Sequence, residues 1–261
     1  MLTKDSFSVI GQLLKRDLLI LRHEYVKKYL ETCFLLFTNA IVFAYFMPEM
    51  GLGKSYGPFL VIGAIAIFGL FEVIGKVSEM LLDLEGEQTI TYNLTMPITS
   101  EGLFCYIGIK WALTSSLIAV LLFPAGKLFL FTRLDLGEFS YLRLIPMFIT
   151  AHLFYGFFSL WLAGILRGIN NLGSLFLRVI NPIFMFGAYF YSWHSLYDYS
   201  PMISWITLIN PVVYVMEGMR AATLGQSGYI PFWICLIALW IFIFACASHA
   251  IHKLKKRLDC V

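Results

Sequence analysis

Six separate apolar stretches, at residues 30–48, 57–81, 103–124, 144–166, 172–193 and 229–251, each approach the roughly 20 residues that a helix needs to cross a bilayer. Backbone N–H and C=O groups find no water in hydrocarbon, so such runs fold as helices or as closed barrels. Barrel strands alternate apolar and polar residues over about ten positions, and these runs are longer and do not alternate. The expected fold is all-α, a polytopic membrane protein with six transmembrane helices. Of 261 residues only 13% are charged and 59% are hydrophobic, whereas soluble domains carry about 25% charged residues. A cytosolic enzyme, a disordered chain and a nucleic-acid binder are thereby excluded.

The distribution of Lys and Arg sets the direction of the spans. With the N-terminus inside, Lys4, Lys15, Arg16, Arg22, Lys27, Lys28, Lys76, Lys110, Arg167, Arg178, Lys253, Lys255, Lys256 and Arg257 fall on the inner side, and Lys54, Lys127, Arg133, Arg143 and Arg220 on the outer. Both termini are therefore expected to be cytoplasmic. The chain divides into an N-terminal segment at 1–29, a six-helix domain at 30–251 and a basic tail at 252–261.

Within the N-terminal segment Phe7, Ile10, Leu14, Leu18, Leu21, Tyr25 and Tyr29 recur at three- and four-residue steps, opposite Arg16, His23 and Lys27. That spacing predicts an amphipathic helix along the inner membrane surface. Leu13, Leu19 and Ile20 break the pattern by facing the polar side, where either lipid or a protein partner would cover them. No uninterrupted apolar region precedes a cleavage site, so the segment does not read as a removable signal peptide.

Several chemistries fail on spacing. Gly53-Lys54-Ser55 ends like a phosphate-binding loop, but the first glycine of that motif would fall on Pro48. Cys33, Cys105, Cys235, Cys246 and Cys260 are single and odd in number, which points to neither a disulfide framework nor zinc. His249 and His252 lie three apart with no acidic or thiol ligand nearby. No catalytic residues, metal site or cofactor of this chain's own are expected.

Ionisable residues inside spans are functional candidates. Glu72 and Lys76 are one turn apart in the favourable order for an ion pair, and the pair either neutralises itself at a helix contact or serves a proton or substrate path. The inner loop at about 82–102 collects Asp83, Glu85, Glu87 and Glu101, presenting either an acidic surface to a cytoplasmic protein or a solvated turn. Gly86 and Pro97 bracket a short segment there. The outer region at about 193–228 is rich in Trp and Tyr and is broken by Pro201 and Pro211. Irregular backbone at membrane depth needs protein or a cavity around it, so a re-entrant or gate element is expected, with Glu217 and Arg220 spaced for a local ion pair.

The run Asn210-Pro211-Val212-Val213-Tyr214-Val215-Met216-Glu217-Gly218-Met219-Arg220, followed by Leu224-Gly225, resembles the signature before the last span of type-2 ATP-binding-cassette (ABC) transporter permeases. The inner loop is also similar to theirs: Glu85-Gly86-Glu87-Gln88-Thr89, then Asn93-Leu94 and Met96-Pro97-Ile98, with Glu101 and Lys110 beyond. A common family form has Gly-Thr where this chain has Gly86-Glu87-Gln88-Thr89. The resemblance covers length, span number and topology. It implies a permease subunit in a bacterial inner (plasma) membrane, paired with a second permease copy as a homodimer or heterodimer, among membrane lipid, and driven by an ABC-type ATPase subunit that binds ATP and Mg. By the same resemblance Glu85, Gly86, Glu87, Thr89 and Pro97 couple to the ATPase, supported by Phe7, Leu14, Arg16 and Leu18. Pro211, Tyr214, Glu217 and Arg220 shape the outer gate. The compact size is similar to exporters of glycans and glycolipids and to small drug-efflux permeases. A secondary transporter, a channel and a membrane scaffold are the readings outside the family.

Overall fold

The computed structural model describes residues 4–51, 53, 55–135 and 137–258, with the backbone alone for residues 4–7 and Thr132. The Phe7 side chain, Lys54 and Cys260 lie outside the described residues. Among those residues every regular element is helical, and five helices are long and apolar enough to cross a membrane, or six if a bent pair counts as one.

Helix α1 spans Lys4–Ala40 and continues through a π-helical turn at Ile41–Phe46 to Met47–Glu49. The N-terminal amphipathic helix and the first span, expected as separate pieces, are thus one element with no break near residue 29. Its stripe faces α4 (Ser100–Val120, extended by Leu122–Leu130), because tyrosines on that stripe reach carbonyls all along the neighbour. The Tyr25 hydroxyl donates to Leu117 at 2.6 Å and that of Tyr29 to Leu121 at 3.4 Å, and beyond the stripe Tyr45 donates to Phe129 at 2.9 Å. The segment therefore stands beside α4 in parallel rather than lying flat. Leu13, which breaks the sequence pattern, is buried by the chain itself, while Leu19 and Ile20 remain exposed.

Helix α2 (Tyr56–Leu82, closing in a π-helical turn at Asp83–Glu87) leads to the short α3 (Thr89–Asn93) and so to α4. Helix α5 (Tyr141–Ile165) is central, packing on α2, α4 and the last helix α10 (Phe232–Leu258). Glycine permits the closest crossing. A Cβ on Gly156 would stand 2.3 Å from the Gly108 carbonyl oxygen and 3.0 Å from the Ala112 nitrogen, so these backbones nearly touch. Helix α10 runs on to Leu258, and the expected basic tail is mostly its last two turns.

The stretch expected as the fifth span, 172–193, holds no helix among those long and apolar enough to cross, the bent pair being Pro201–Thr207 with Pro211–Thr223. In that stretch helix α6 runs Leu172–Leu175, a π-helical turn at Phe176–Ile180, and Asn181–Met185. At 1.5 Å per residue this covers about 21 Å of a hydrocarbon core about 30 Å thick. Residues 186–192 complete the passage unwound, with Ala188 at φ +60. The contacts Glu85–Gly168, Phe71–Phe184 and Tyr56–Phe190 show that residues 168–190 run antiparallel along the whole of α2.

The chain then dips back. Helices α7 (Trp193–Tyr199) and α8 (Pro201–Thr207) lead to α9 (Pro211–Thr223), and α8 and α9 meet at 98°. Pro211 occupies the first turn of α9, where its missing N–H is no loss, and the Asn210 side chain accepts the Val212 N–H at 3.0 Å as the cap. Helix α9 rises among α2, α5 and α10, and all but one of its residues are buried.

The tight crossing gives a direct test. Replacing Gly156 by Leu forces α4 and α5 apart, and overpacking of this kind costs about 1–3 kcal/mol. The expected result is loss of the monodisperse peak in size-exclusion chromatography. Gly75→Leu, at a position with nothing within 4 Å of the added Cβ, should leave the peak intact, and equal behaviour of the two would refute the packing argument.

Candidate functional site

The first turns of α4, the 82–102 loop, the α1 segment around Asp17 and the end of α10 gather at one end of the bundle, and the re-entrant helix α9 opens toward the other. At the loop end the turn after α2 is held by Asp83. Its two carboxylate oxygens accept the N–H groups of Thr89 and Ile90, each at 2.9 Å, which caps α3 from six residues upstream. Gln88 adopts φ +55 to make the turn. Because the buried Asp83 fixes the backbone, Glu85, Gly86, Glu87 and Thr89 are all exposed, as is Pro97.

Helix α1 reaches this loop through a second buried acid. Asp17, 7% exposed, accepts from the Tyr106 hydroxyl, pairs with Arg16 at 3.0 Å and lies 3.7 Å from the Lys110 amine. Lys110 also holds Glu79 of α2 at 3.1 Å. A cavity of about 150 Å³ lies between these groups and the loop, lined by Arg16, Glu79, Asp83, Glu87, Thr89 and Asn93 among others. Arg16 therefore lies beside the loop. Leu14 and Leu18 instead pack inward on the core. Lys255 of α10 binds Glu101 at 2.5 Å, and its ammonium holds that exposed carboxyl below the usual carboxylate range.

At the opposite end Glu217 and Arg220 are both fully buried, but they do not form the local ion pair expected from their spacing; no contact between them is among the salt bridges of the described residues. Each is consumed by broken backbone instead. The Arg220 guanidinium donates to the carbonyls of Ala188 at 2.5 Å, Tyr189 at 2.7 Å, Phe59 at 3.3 Å and Tyr191 at 3.4 Å, and lies 3.4 Å from the centroid of the Phe59 ring. It thus serves the carbonyls freed where α6 unwinds. Glu217 accepts the N–H of Trp193 at 2.9 Å and of Ile230 at 3.0 Å, joining the start of α7 to the approach of α10. The Tyr214 hydroxyl donates to Leu208 at 2.9 Å and closes the turn that Pro211 follows.

Above this lock is an open cleft of about 660 Å³, whose walls include Tyr56, Phe59, Tyr191 and Tyr229 together with Ser192, Ser195, Asp135 and Glu138. Aromatic faces, hydroxyls and carboxylates share one surface there.

The second expected pair also fails to form. Lys76 is buried and Glu72 half-exposed, and the Lys76 amine has no hydrogen-bond partner among the described residues. No Glu72–Lys76 bridge is among the salt bridges of the described residues, so a favourable spacing produces no ion pair. Sequence reasoning missed Asp17 and Tyr106 altogether and named Asp83 only as one acid in a cluster. An acid inside the apolar stripe of α1 was the available signal.

Comparison with known families gives one finding: the profile described as ABC-2 type transporter matches residues 9–224. No curated protein matches the chain.

Two substitutions test the lock. In Arg220→Lys the planar fork is lost and an ammonium cannot reach the same carbonyls; hydrogen bonds to charged groups contribute about 1.5–3 kcal/mol each. The melting temperature of the purified protein should fall by several degrees. Glu217→Gln turns an acceptor-only group into one that presents an NH₂ to a backbone N–H, and should destabilise comparably. An unchanged melting curve in both variants would refute the assignment. In the loop, Asp83→Ala should raise proteolytic cleavage within 83–93 and leave cleavage elsewhere unaltered.

Proposed function

Because the chain belongs to the ABC-2 type transporter family, as the transmembrane permease component of an ABC-type transporter, we propose that it exports a glycan or glycolipid across a bacterial inner (plasma) membrane, with both termini cytoplasmic. Family members generally work with a separate ABC ATPase subunit. Here that subunit binds ATP and Mg and docks against the 82–102 loop. Two permease copies, identical or related, enclose the pathway.

The observation that carries the coupling reading is the exposed, backbone-locked run Glu85–Thr89 beside Arg16. A loop whose conformation is fixed by buried Asp83 transmits a push as a rigid body, whereas a solvated turn would absorb it. Glu85, Glu87 and Thr89 offer the docking contacts, Gly86 and Pro97 shape the loop, and Arg16 joins it to α1. A partner that moves the loop moves α2, and the far end of α2 is held by Arg220 through the Phe59 carbonyl. One bilayer-spanning helix thereby links ATPase docking to the outer lock, and population shift between two arrangements needs such a shared element.

The glycan reading is supported by the outer cleft. Sugars present both C–H faces and hydroxyls, and aromatic rings with neighbouring carboxylates and serines satisfy both. Tyr56, Tyr191, Asp135 and Glu138 line that cleft together. Efflux of an amphipathic drug is the second reading and is favoured by the same aromatic walls.

Charge reversal at the loop distinguishes a transporter from a scaffold. Glu85→Lys combined with Glu87→Lys should reduce transport to background, with normal membrane insertion and loss of the co-purifying ATPase subunit. Full transport by that variant would remove the coupling assignment. Comparison of surface glycan with drug accumulation in a strain lacking the protein separates the two cargo readings.

A further inference from the structure

Away from the coupling loop and the outer lock, two cavities meet at His249. The first is a bowl of about 810 Å³ at the end of the bundle that carries the 82–102 loop, lined by Gly164, Ile165, Leu166, Arg167, His249, Lys253, Lys256 and Arg257. Its lining has four Lys and Arg side chains and no carboxylate. The second, about 520 Å³, continues from His249 between α5, α6 and α10, walled by Phe154, Phe158, Trp161, Ile183 and Phe242 and roofed by Ile209 and Pro211. Its polar lining is slight: His249 stands at its mouth and the interior is aromatic and aliphatic.

Neither cavity is an accident of loose side chains. Phe154 stacks on Phe158, with ring centroids 5.3 Å apart, and Phe158 on Trp161 at 5.7 Å, which gives the groove a continuous aromatic wall. The Trp161 indole N–H donates to His249 Nδ1 at 2.7 Å. A neutral imidazole that accepts at Nδ1 carries its proton on Nε2, so His249 is left as a donor where groove and bowl join. Arg257 is anchored by donating to the Leu166 carbonyl at 3.0 Å.

We infer that the bowl and groove together form a seat for a membrane lipid with a net-anionic phosphate headgroup, its head among Arg167, Lys253, Lys256 and Arg257 and its tail between α5, α6 and α10. Charge complementarity selects the head, since a phosphate provides acceptors for several cations at once and basic pockets between spanning helices suit such headgroups. Continuity with the groove selects a lipid over an acidic protein surface, because one molecule must satisfy a cationic rim and an apolar channel running toward mid-membrane. The tail ends beneath Ile209 and Pro211, at the foot of the re-entrant helix. Occupancy therefore supports α9 from below as Arg220 and Glu217 hold it from above. The inference does not depend on the identity of the transported cargo.

The test uses the intact chain purified in mild detergent and delipidated, then mixed with phosphatidylglycerol or with phosphatidylcholine of the same acyl chains. Native mass spectra and melting curves are the readouts. Phosphatidylglycerol should persist as a bound adduct and raise the melting temperature, and phosphatidylcholine should do neither. Lys253→Glu with Lys256→Glu should lower retention at least five-fold, as should Ala245→Trp, which blocks the groove at constant charge; Lys253→Arg with Lys256→Arg should retain the lipid. Equal retention of the two lipids by the unaltered chain would overturn the proposal whether or not any variant folds. Full stabilisation by inorganic pyrophosphate alone would overturn it in favour of a soluble phosphate site. A charge-reversed variant that keeps the lipid but loses the ATPase subunit would overturn it in favour of a protein-docking surface.

Discussion

Backbone that departs from helical geometry inside a bilayer has to find its hydrogen-bond partners within the protein, and between residues 186 and 210 this chain departs from it repeatedly. Unwound carbonyls of Ala188, Tyr189 and Tyr191 and free N–H groups of Trp193 and Ile230 would each be left unpaired at a cost of about 1–3 kcal/mol. Arg220 takes the carbonyls and Glu217 the N–H groups, from one turn of a single buried helix. Burying either charge without such partners would be prohibitive. The re-entrant element and its two charges therefore exist by virtue of one another, and the packing of α2, α5 and α10 around α9 follows from where that element stands.

The same physics recurs at the opposite end, where buried acids again receive donors. Asp83 is buried so that its oxygens can receive the N–H groups that open α3, and Asp17 is buried among Tyr106, Arg16 and Lys110. In each case an acidic side chain is drawn inside, Asp83 to receive the start of α3 and Asp17 to join α1 to α4. Helix α2 carries both devices, with the Phe59 carbonyl at one end and Asp83 at the other, and a helix without a break between them is stiff over that length.

Much of this was legible from spacing. Apolar runs located the long helices at α2, α4, α5 and α10 because the bilayer imposes their length, and Pro201 and Pro211 located the breaks because proline cannot continue a helix. The tyrosines of α1 gave the correct stripe, yet not its neighbour: the same pattern serves a helix on lipid and one against α4. Glu72 with Lys76, and Glu217 with Arg220, had pairing distances along the sequence and did not pair. Spacing states which side chains can meet on an isolated helix; in the tertiary structure Glu217 and Arg220 each go to backbone groups elsewhere in the chain, while the buried Lys76 amine has no hydrogen-bond partner among the described residues.

The sequence by itself determined the all-helical membrane class, the family and the approximate position of the crossings, since these depend on hydrophobic length and on short local motifs. Only the tertiary structure decided that α1 is continuous, that the last third of the fifth crossing is unwound, and that His249 joins a cationic bowl to an aromatic groove. Those features arise from contacts between residues about 90 to 160 positions apart, such as Trp161 with His249 and Arg220 with Phe59. Local periodicity carries no information about such partners, because their proximity is created by the packing of helices whose faces the lipid leaves equally apolar.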